Sequence, residues 1–176
     1  MFEEKTVYTQ KIFSGRLIKL RVDRVILPDG RQSTREIVEH PGAAAVIPLD
    51  DDNYVYLVRQ YRKPLEKHLL EIPAGTLEPG EEPRSCVQRE LSEEVGLGAG
   101  KLNLLASLST APGFCNEVIH IFLATQLFPN PGKLDQDEFL KVEKYHFQEA
   151  LTMIQQGEIT DGKTVSGLLL AARCLT

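Results

Sequence analysis

Three glutamates near the middle of the chain have the type and spacing of a cation-binding site. Glu90, Glu93 and Glu94 stand at positions i, i+3 and i+4, so on a helix they share one face and their side chains converge. Carboxylates brought together in this way repel one another unless a cation lies between them. Mg2+ prefers oxygen ligands and commonly combines one or two carboxylates with water and substrate phosphates. The spacing therefore predicts a divalent-cation site that handles a phosphate compound.

The same acidic run has a second interpretation, as a solvated helix face, and for an isolated run that is the commoner case. Arg89, directly before Glu90, is expected to form a structural ion pair with a neighbouring glutamate rather than to act in catalysis. Glu81, farther upstream, could be an outer metal ligand or a brace between a loop and the helix. Both alternatives remain open on the local sequence.

A helix over Pro83–Val95 is predicted to carry the glutamates. Pro83 suits the first helical position and Gly96 suits the position just past the end. An apolar residue recurs every four positions and gives a stripe that can pack on a sheet: Val87, Leu91 and Val95. Residues 75–81 contain two glycines and a proline, which favours a tight loop leading into the helix.

The complete pattern resembles the Nudix hydrolases. Gly75, five residues, Glu81, seven residues and then the run from Arg89 to Leu97 match the motif of that family at every constrained position. This joint match favours the cation site over the solvated helix face. The resemblance implies that a nucleoside diphosphate linked to another group is cleaved by attack of water on phosphorus, with metal assistance.

Segments outside the motif are similar to the ADP-ribose pyrophosphatase subgroup. They are Pro112, 15 residues past Leu97 in an Ala-Pro-Gly-Phe context, and residues 35–46, 58–64 and 71–75. The subgroup implies hydrolysis of ADP-ribose to AMP and ribose 5-phosphate. The alternatives are a nucleotide-sugar diphosphatase of the GDP-mannose type with the same metal site, and a sensor that binds ADP-ribose without cleaving it.

The resemblance also implies the metal ligands. Glu90 and Glu94 are expected to bind Mg2+ directly, with Mn2+ as the alternative ion, and the backbone carbonyl of Ala74 is expected to be a further ligand. Glu93 lies close by and is assigned a catalytic role.

Other site residues follow from the subgroup and from charge. Glu138, in an acidic loop, is expected to act on the attacking water, with Asp137 as a weaker candidate. Arg62, just after a strand, is placed to bind a substrate phosphate by charge-assisted hydrogen bonds, and Arg59 is a second candidate. Either arginine could instead be solvated surface.

The adenine end of the substrate is expected to meet Arg35 and Glu36. The chain has no tryptophan, so an aromatic partner for the base is left open. In the subgroup the N-terminal region exchanges between subunits and completes each active site. Because a few short strands are marginal alone, we expect a homodimer with an exchanged N-terminal region.

The order of predicted elements gives an α+β fold, a mixed sheet sandwiched between helices, with a small antiparallel sheet at the N-terminus. Pro41-Gly42 marks the boundary between an N-terminal β region, 1–40, and a catalytic domain, 41–176. Helices are expected over about 147–156 and 163–174. The predicted strands cover 6–13, 17–27, 34–39, 43–49, 54–61, 102–107, 118–125 and 139–145.

Composition limits the remaining function classes. With 176 residues, the chain can bury a sizeable core in one domain, and its net charge of −5 argues against a nucleic-acid surface. No apolar stretch is long enough to span a membrane. The three widely spaced cysteines suit free thiols in a reducing compartment. We therefore expect a soluble cytoplasmic protein.

Overall fold

Ten strands and three α-helices form the part of the chain that the computed structural model describes, residues 2–134 and 139–175. The chain divides into two compact units, one made of residues 1–42 and 109–118 and the other of residues 43–108 and 119–176. The predicted boundary after residue 40 lies beside the end of the first segment at Gly42, where the backbone has a φ of +96°. The division into 1–40 and 41–176 stays a prediction, since residues 109–118 group with the N-terminal segment.

The first unit is a three-stranded antiparallel sheet. Its order is β1-β2-β3, with β1 at one edge. The strands are β1 (Lys5–Ser14), β2 (Lys19–Ile26) and β3 (Gln32–Glu39). Within the same unit, the N–H of Val38 donates to the carbonyl of Phe114, which ties residues 109–118 to the end of β3. Every residue of β1 is exposed.

The second unit contains two sheets. One is mixed, in the order β7-β4-β9-β8, with β4 parallel to β9 and antiparallel to β7. Its strands are β4 (Ala43–Pro48), β7 (Ala74–Thr76), β8 (Leu97–Ser109) and β9 (Val118–Pro129). The other is antiparallel, in the order β10-β5-β6. Its strands are β5 (Tyr54–Arg62), β6 (Lys67–Glu71) and β10 (Leu140–His146).

Helices cover both faces of β4, which explains why this strand is apolar throughout. Ala44 and Val46 pack in a cluster with Val87 and Leu91 of α1 (Pro83–Val95). The alternate residues of β4 join a second cluster that includes side chains of α2 (Phe147–Gln155) and α3 (Gly162–Leu175). Residues that alternate along a strand point to opposite faces, so one strand serves two cores. The α+β prediction of a mixed sheet between helices is confirmed.

The ends of α1 coincide with the predicted ends. Pro83 lies in the first turn, and Gly96 ends the helix in the left-handed conformation, with a φ of +73°. The N–H of Gly96 donates to the carbonyl of Ser92 at 3.0 Å. Val87 and Leu91 are fully buried, and each buried side chain of this size contributes roughly 1.5–3 kcal/mol. Local end signals and packing therefore agree on where the helix lies.

Strands β8 and β9 are longer than the sequence predicted, 97–109 against 102–107 and 118–129 against 118–125. Gly98 and Gly100 lie in the part of β8 that was not predicted. In the structure the ring of Phe128 lies against Gly98, where an added Cβ would be 2.5 Å from Phe128 Cζ. Gly98 is therefore a strand residue that allows close packing, a long-range requirement that the local sequence does not show.

Three short elements were not predicted: β6, β7 and a 3₁₀ turn over Lys63–Leu65. Among the described helices, none has the length and apolar character needed to cross a membrane.

Candidate metal and diphosphate site

Helix α1 presents the three predicted glutamates in different environments. Glu90 and Glu94 are 6% and 4% exposed, whereas the Glu93 side chain is 28% exposed. The helix is held on β4 by its apolar stripe, and the glutamates lie on its side facing β7. Burying two carboxylates is unfavourable unless each has hydrogen-bond donors or a cation, so their position indicates a charged or metal-binding role.

Gly75 makes room for the carboxylate of Glu90. A Cβ added at Gly75 would lie 1.6 Å from Glu90 Oε1 and 2.1 Å from Cδ, well inside any permitted contact. The glycine of the motif is therefore needed for close approach of β7 to α1. This contact joins the strand and the helix at the candidate site.

Ala74 contacts the other buried glutamate. Its N–H donates to Glu94 Oε2 at 3.1 Å. The structure thus brings together Ala74, Gly75, Glu90 and Glu94. The role predicted for the Ala74 carbonyl, as a metal ligand, stays a prediction.

Arg89 forms the structural ion pairs that the sequence predicted. Its Nε and Nη2 donate to the two carboxylate oxygens of Glu81, each at 3.1 Å. Its Nη1 lies 2.5 Å from Glu90 Oε1 and 3.2 Å from Glu93 Oε2. The hydrogen bonds to Glu81 and the charge of Glu90 raise the pKa of Arg89 above its ordinary value. Glu81, whose pKa is lowered by Arg89, has the position of a brace between loop and helix.

The donor set fits a hard divalent cation. Glu90 and Glu94 are buried oxygen donors one helical turn apart, and such donors match Mg2+ or Mn2+. Within residues 2–134 and 139–175, no group of three or more His, Cys, Asp or Glu side chains is arranged to hold a metal ion. The guanidinium of Arg89 forms ion pairs with both Glu90 and Glu93 and so reduces the repulsion between them in this arrangement.

Arg62 is held by a buried carboxylate. Its Nε and Nη2 each donate to Glu71 at 2.7 Å, and Glu71 is 1% exposed. Lys163 contacts the same carboxylate. Burial opposes ionisation of Glu71, but the hydrogen bonds from Arg62 and the charge of Lys163 outweigh it, so the pKa of Glu71 is lowered. The pKa of Arg62 is raised, chiefly by its hydrogen bonds to Glu71, with smaller contributions from the charges of Asp161 and Glu94.

Arg59 does not join this group. Arg59 and Arg62 are three positions apart on a regular strand, so their side chains point to opposite faces of β5. Arg59 donates to both carboxylate oxygens of Glu143, each at 3.0 Å. Its predicted contact with substrate stays a prediction, but the structure does not bring it to Glu71 or Glu94.

Arg35 and Glu36 lie on β3 in the first unit, where neighbouring positions face opposite sides of the sheet. Arg35 pairs with Glu4 and lines a cavity of about 530 Å3 in that unit. Phe114, which is 58% exposed, lines the same cavity. No aromatic residue for the base was predicted from the sequence, although the Ala-Pro-Gly-Phe segment contains Phe114.

Glu138 and Asp137 lie outside the described residues, so the loop predicted to act on water stays a prediction. Glu71 and Lys163 were not singled out in the sequence. A glutamate two positions before Pro73 and a lysine 92 residues later give no joint signal until the fold brings them together.

Cys86 is the one cysteine close to these groups in the part of the chain that the structure describes, and it is fully buried on α1. Burial, together with the charges of Glu81 and Glu90, raises the pKa of its thiol to about 12. A thiol with this pKa is protonated at neutral pH and is a poor nucleophile. Cys86 is therefore a packing residue.

Comparison with known proteins identifies the family of the chain. The NUDIX domain family matches residues 39–166, and the nucleoside diphosphate sugar hydrolase N-terminal domain matches residues 4–38. A methanol dehydrogenase activator from Bacillus methanolicus is 50% identical over 167 residues, covering 94% of this chain and 90% of that protein. An ADP-ribose pyrophosphatase from Bacillus subtilis (strain 168) is 46% identical over 164 residues, covering 92% and 89%.

Similarity extends to solved structures. The crystal structure of an ADP compounds hydrolase superposes with a TM-score of 0.88 at 25% sequence identity, covering 98% of this chain and 94% of that one. Of the motif residues, Gly75 lies on β7, Arg89 and three glutamates lie on α1, and Glu81 lies in the loop between them. On the sequence match and the fold together, the chain belongs to the Nudix family of hydrolases.

Proposed function

We propose that this hydrolase cleaves the diphosphate bond of ADP-ribose to give AMP and ribose 5-phosphate. The observation that carries the proposal is the close approach of β7 to the two buried carboxylates of α1, with Gly75 against Glu90 and the Ala74 N–H bonded to Glu94. Arg62, held by Glu71 with its side chain 39% exposed, would supply a cation for an anionic substrate. The 46% identity to an ADP-ribose pyrophosphatase supports the choice of substrate.

Glu90, Glu94 and the carbonyl of Ala74 would hold the divalent cation, Mg2+ with Mn2+ as the alternative. When bound, such an ion neutralises phosphate charge and lowers the pKa of water. Arg62 would donate hydrogen bonds to phosphate oxygens as charge develops on them. Its pair with Glu71 uses Nε and Nη2, which leaves Nη1 outside that pair.

The attacking water needs a carboxylate to orient it or to accept its proton. We assign this role to Glu138, with Asp137 as a weaker candidate, and we assign Glu93 a supporting catalytic role. Of the three carboxylates on α1, that of Glu93 is the most exposed. Its Oε2 lies 3.2 Å from Arg89 Nη1. A group near cations remains ionised, so orientation of the water matters more than high basicity.

Recognition of the adenosine end is assigned to the first unit. Arg35 and the exposed ring of Phe114 line one cavity there, and an aromatic ring beside an arginine suits stacking and hydrogen bonding to a purine. Glu36 is kept as a further candidate on β3. Arg59 is kept as a second phosphate contact, although its present partner is Glu143.

We further propose a homodimer in which the N-terminal region is exchanged between subunits. All ten residues of β1 are exposed, and four apolar side chains on it are at least half exposed: Val7, Tyr8, Ile12 and Phe13. An edge strand with this apolar surface favours pairing with another chain. We place the protein in the cytoplasm because its three cysteines, all described, are free.

A second candidate is hydrolysis of a nucleotide sugar of the GDP-mannose type. The match of residues 4–38 to the nucleoside diphosphate sugar hydrolase N-terminal domain favours it. The same metal and phosphate groups would serve either substrate, since the diphosphate is common to both. The difference must lie in the groups that meet the base and the sugar.

The test is a substrate panel of ADP-ribose, GDP-mannose, ADP-glucose and NADH, assayed with Mg2+ and with EDTA. We expect the fastest release from ADP-ribose, as AMP and ribose 5-phosphate, and loss of release in EDTA and in Glu94→Gln. Glu82→Gln, an exposed carboxylate just before α1, is the matched control. Faster cleavage of another compound would identify that compound, and not ADP-ribose, as the preferred substrate. Binding of ADP-ribose without any cleavage would indicate a sensor.

A further inference from the structure

We propose that Glu71 and Lys163 are positioning residues that orient Arg62 toward the substrate diphosphate. Lys163 keeps the Glu71 carboxylate in an ion pair while Arg62 binds the substrate. The inference rests on the proposed function in one respect, that Arg62 meets a diphosphate. Neither Glu71 nor Lys163 belongs to the Nudix motif described above.

The register of β5 and β6 places Arg62 and Glu71 on one face. Val58 lies opposite Glu71, and Arg62 lies opposite Lys67. Residues opposite each other in a ladder share a face, as do residues two apart along a strand, so Val58, Arg62 and Glu71 point the same way. The Arg62 side chain is 39% exposed and Glu71 only 1%. The arginine is therefore accessible, and its anchor is buried.

The bonding within the pair fixes the plane of the guanidinium. Nε of Arg62 donates to Oε1 of Glu71 and Nη2 donates to Oε2, each at 2.7 Å. A two-point pair of this kind defines orientation as well as distance. Since Glu71 uses one edge of the guanidinium, Arg62 can offer a phosphate the two N–H groups of Nη1 and the second N–H of Nη2.

Lys163 shares the same carboxylate. Its Nζ contacts Oε2 of Glu71, the oxygen that also accepts from Nη2 of Arg62. The Lys163 side chain is 11% exposed and is also bonded to Asp161 Oδ2 at 3.1 Å. An ion pair with one partner removed leaves a buried charge without compensation. Lys163 prevents this for Glu71 when Arg62 interacts with an anion.

The first turn of α3 fixes Lys163 in place. Asp161 Oδ2 accepts the backbone N–H of Thr164 at 3.0 Å and its hydroxyl at 2.6 Å. The same hydroxyl accepts the N–H of Ile72 at 2.8 Å. Glu71 and Ile72 are thus both tied to α3, directly before the segment that carries Ala74. The start of α3 supports the arginine and the strand of the site together.

A double-mutant cycle distinguishes positioning from a purely structural role. Glu71→Gln and Lys163→Met are each measured alone and in an Arg62→Ala background, by kcat and KM. Groups that act through one another give non-additive effects, whereas independent ones add. We expect each single variant to raise KM about tenfold and change kcat less. In the Arg62→Ala background the further rise should be below about twofold.

Two controls accompany the cycle. Lys101→Met removes an exposed lysine from β8, outside the group of Arg62, Glu71 and Lys163, and should leave KM unchanged. Lys163→Arg retains the positive charge and should recover part of the lost affinity. Thermal unfolding of every variant shows which ones fold. Because methionine retains most of the apolar stem of Lys163, the cycle can be completed with Lys163→Met if Glu71→Gln does not fold.

Failure of the proposed function gives a different result from failure of this inference. If wild-type protein prefers another nucleoside diphosphate, the cycle is run on that compound. If nothing is cleaved, the cycle is run on the Kd for ADP-ribose. Full effects of Glu71→Gln and Lys163→Met in the Arg62→Ala background would overturn the positioning role, whichever compound is used. Unchanged KM in the folded single variants would overturn it as well.

Discussion

The backbone of Gly75 lies directly against the carboxylate of Glu90, so that no side chain fits between strand β7 and helix α1. An added Cβ would come within 1.6 Å of Glu90 Oε1. Glu90 is 6% exposed and has little freedom to move into solvent. The position of one candidate metal ligand thus depends on the absence of a side chain at residue 75.

Gly75→Ala is therefore expected to displace Glu90 and to lower kcat at least tenfold. The substitution acts by steric contact, since Gly75 does not have the positive φ that would make alanine itself strained. Gly162→Ala is the matched control, because a Cβ at that position meets nothing within 4 Å. Steady-state kinetics with increasing Mg2+ measure both variants. Wild-type kcat in a folded Gly75→Ala protein would contradict the proposed role of Glu90.

Glu138→Gln tests the carboxylate assigned to the attacking water. We expect kcat to fall by about two orders of magnitude, because a positioned acid–base group contributes roughly that much. KM should change little, since the side chain is not assigned a substrate contact. Asp137→Asn is the neighbouring control and should have the smaller effect. A change confined to KM in Glu138→Gln would move the role to another carboxylate.

Glu143 gives a prediction for stability at low pH. Hydrogen bonds from Arg59 and Tyr145 lower its pKa from 4.5 to about 2. A carboxylate whose pKa is lower in the folded state stabilises the protein fully when the pH is above its pKa in the unfolded state. This contribution is lost as the pH falls through the pKa of the folded state. At pH 7 the free energy of unfolding of the Glu143→Gln variant should therefore be about 1 kcal/mol lower than that of wild type, allowing for solvent screening. Urea unfolding should show the difference from wild type shrinking between pH 4.5 and 2.

A pH-independent difference between Glu143→Gln and wild type would show that the amide is poorly packed and that the ion pair is not the cause. The Lys141→Met variant provides a comparison, since Lys141 contacts Glu143 but its own side chain is 77% exposed. Its effect should be smaller than that of Glu143→Gln, because exposed pairs contribute little.

The proposed dimer is tested through the exposed edge strand. Ile12 is 50% exposed on β1, and Ile12→Asp should shift the protein from dimer to monomer, since it places a charge in an apolar contact. Thr9→Asp, on the same strand, is the control for added charge. Light scattering at micromolar concentration measures the mass. A monomeric mass for wild-type protein would contradict the exchange of the N-terminal region.

Several elements could be predicted because their signals are local. Helix α1 begins and ends at the predicted residues, since Pro83 and Gly96 are end signals that act within one turn. The buried strand over Ala43–Pro48 follows from a continuous apolar run. The placement of the two arginines was also within reach, because an odd separation along one strand puts Arg59 and Arg62 on opposite faces.

Other features depend on residues far apart in the chain. Gly98 lies in the unpredicted part of β8, where the ring of Phe128 packs against it. Glu71 and Lys163 are 92 positions apart and meet because α3 packs beside the end of β6. Phe114 lines a cavity with Arg35 because residues 109–118 return to the N-terminal sheet. No local pattern contains these pairings.

By itself, the sequence determined the chemistry: three carboxylates on one helix face, the glycine loop before them, and membership of a hydrolase family. These depend on spacing within one element, where geometry follows from the period of the helix. Only the tertiary structure decided which charges are paired and which are buried. Arg89 forms ion pairs with Glu90 and Glu93. Arg62 is held by Glu71, which also pairs with Lys163. Burial and distance between distant segments decide such pairings, and both come from packing.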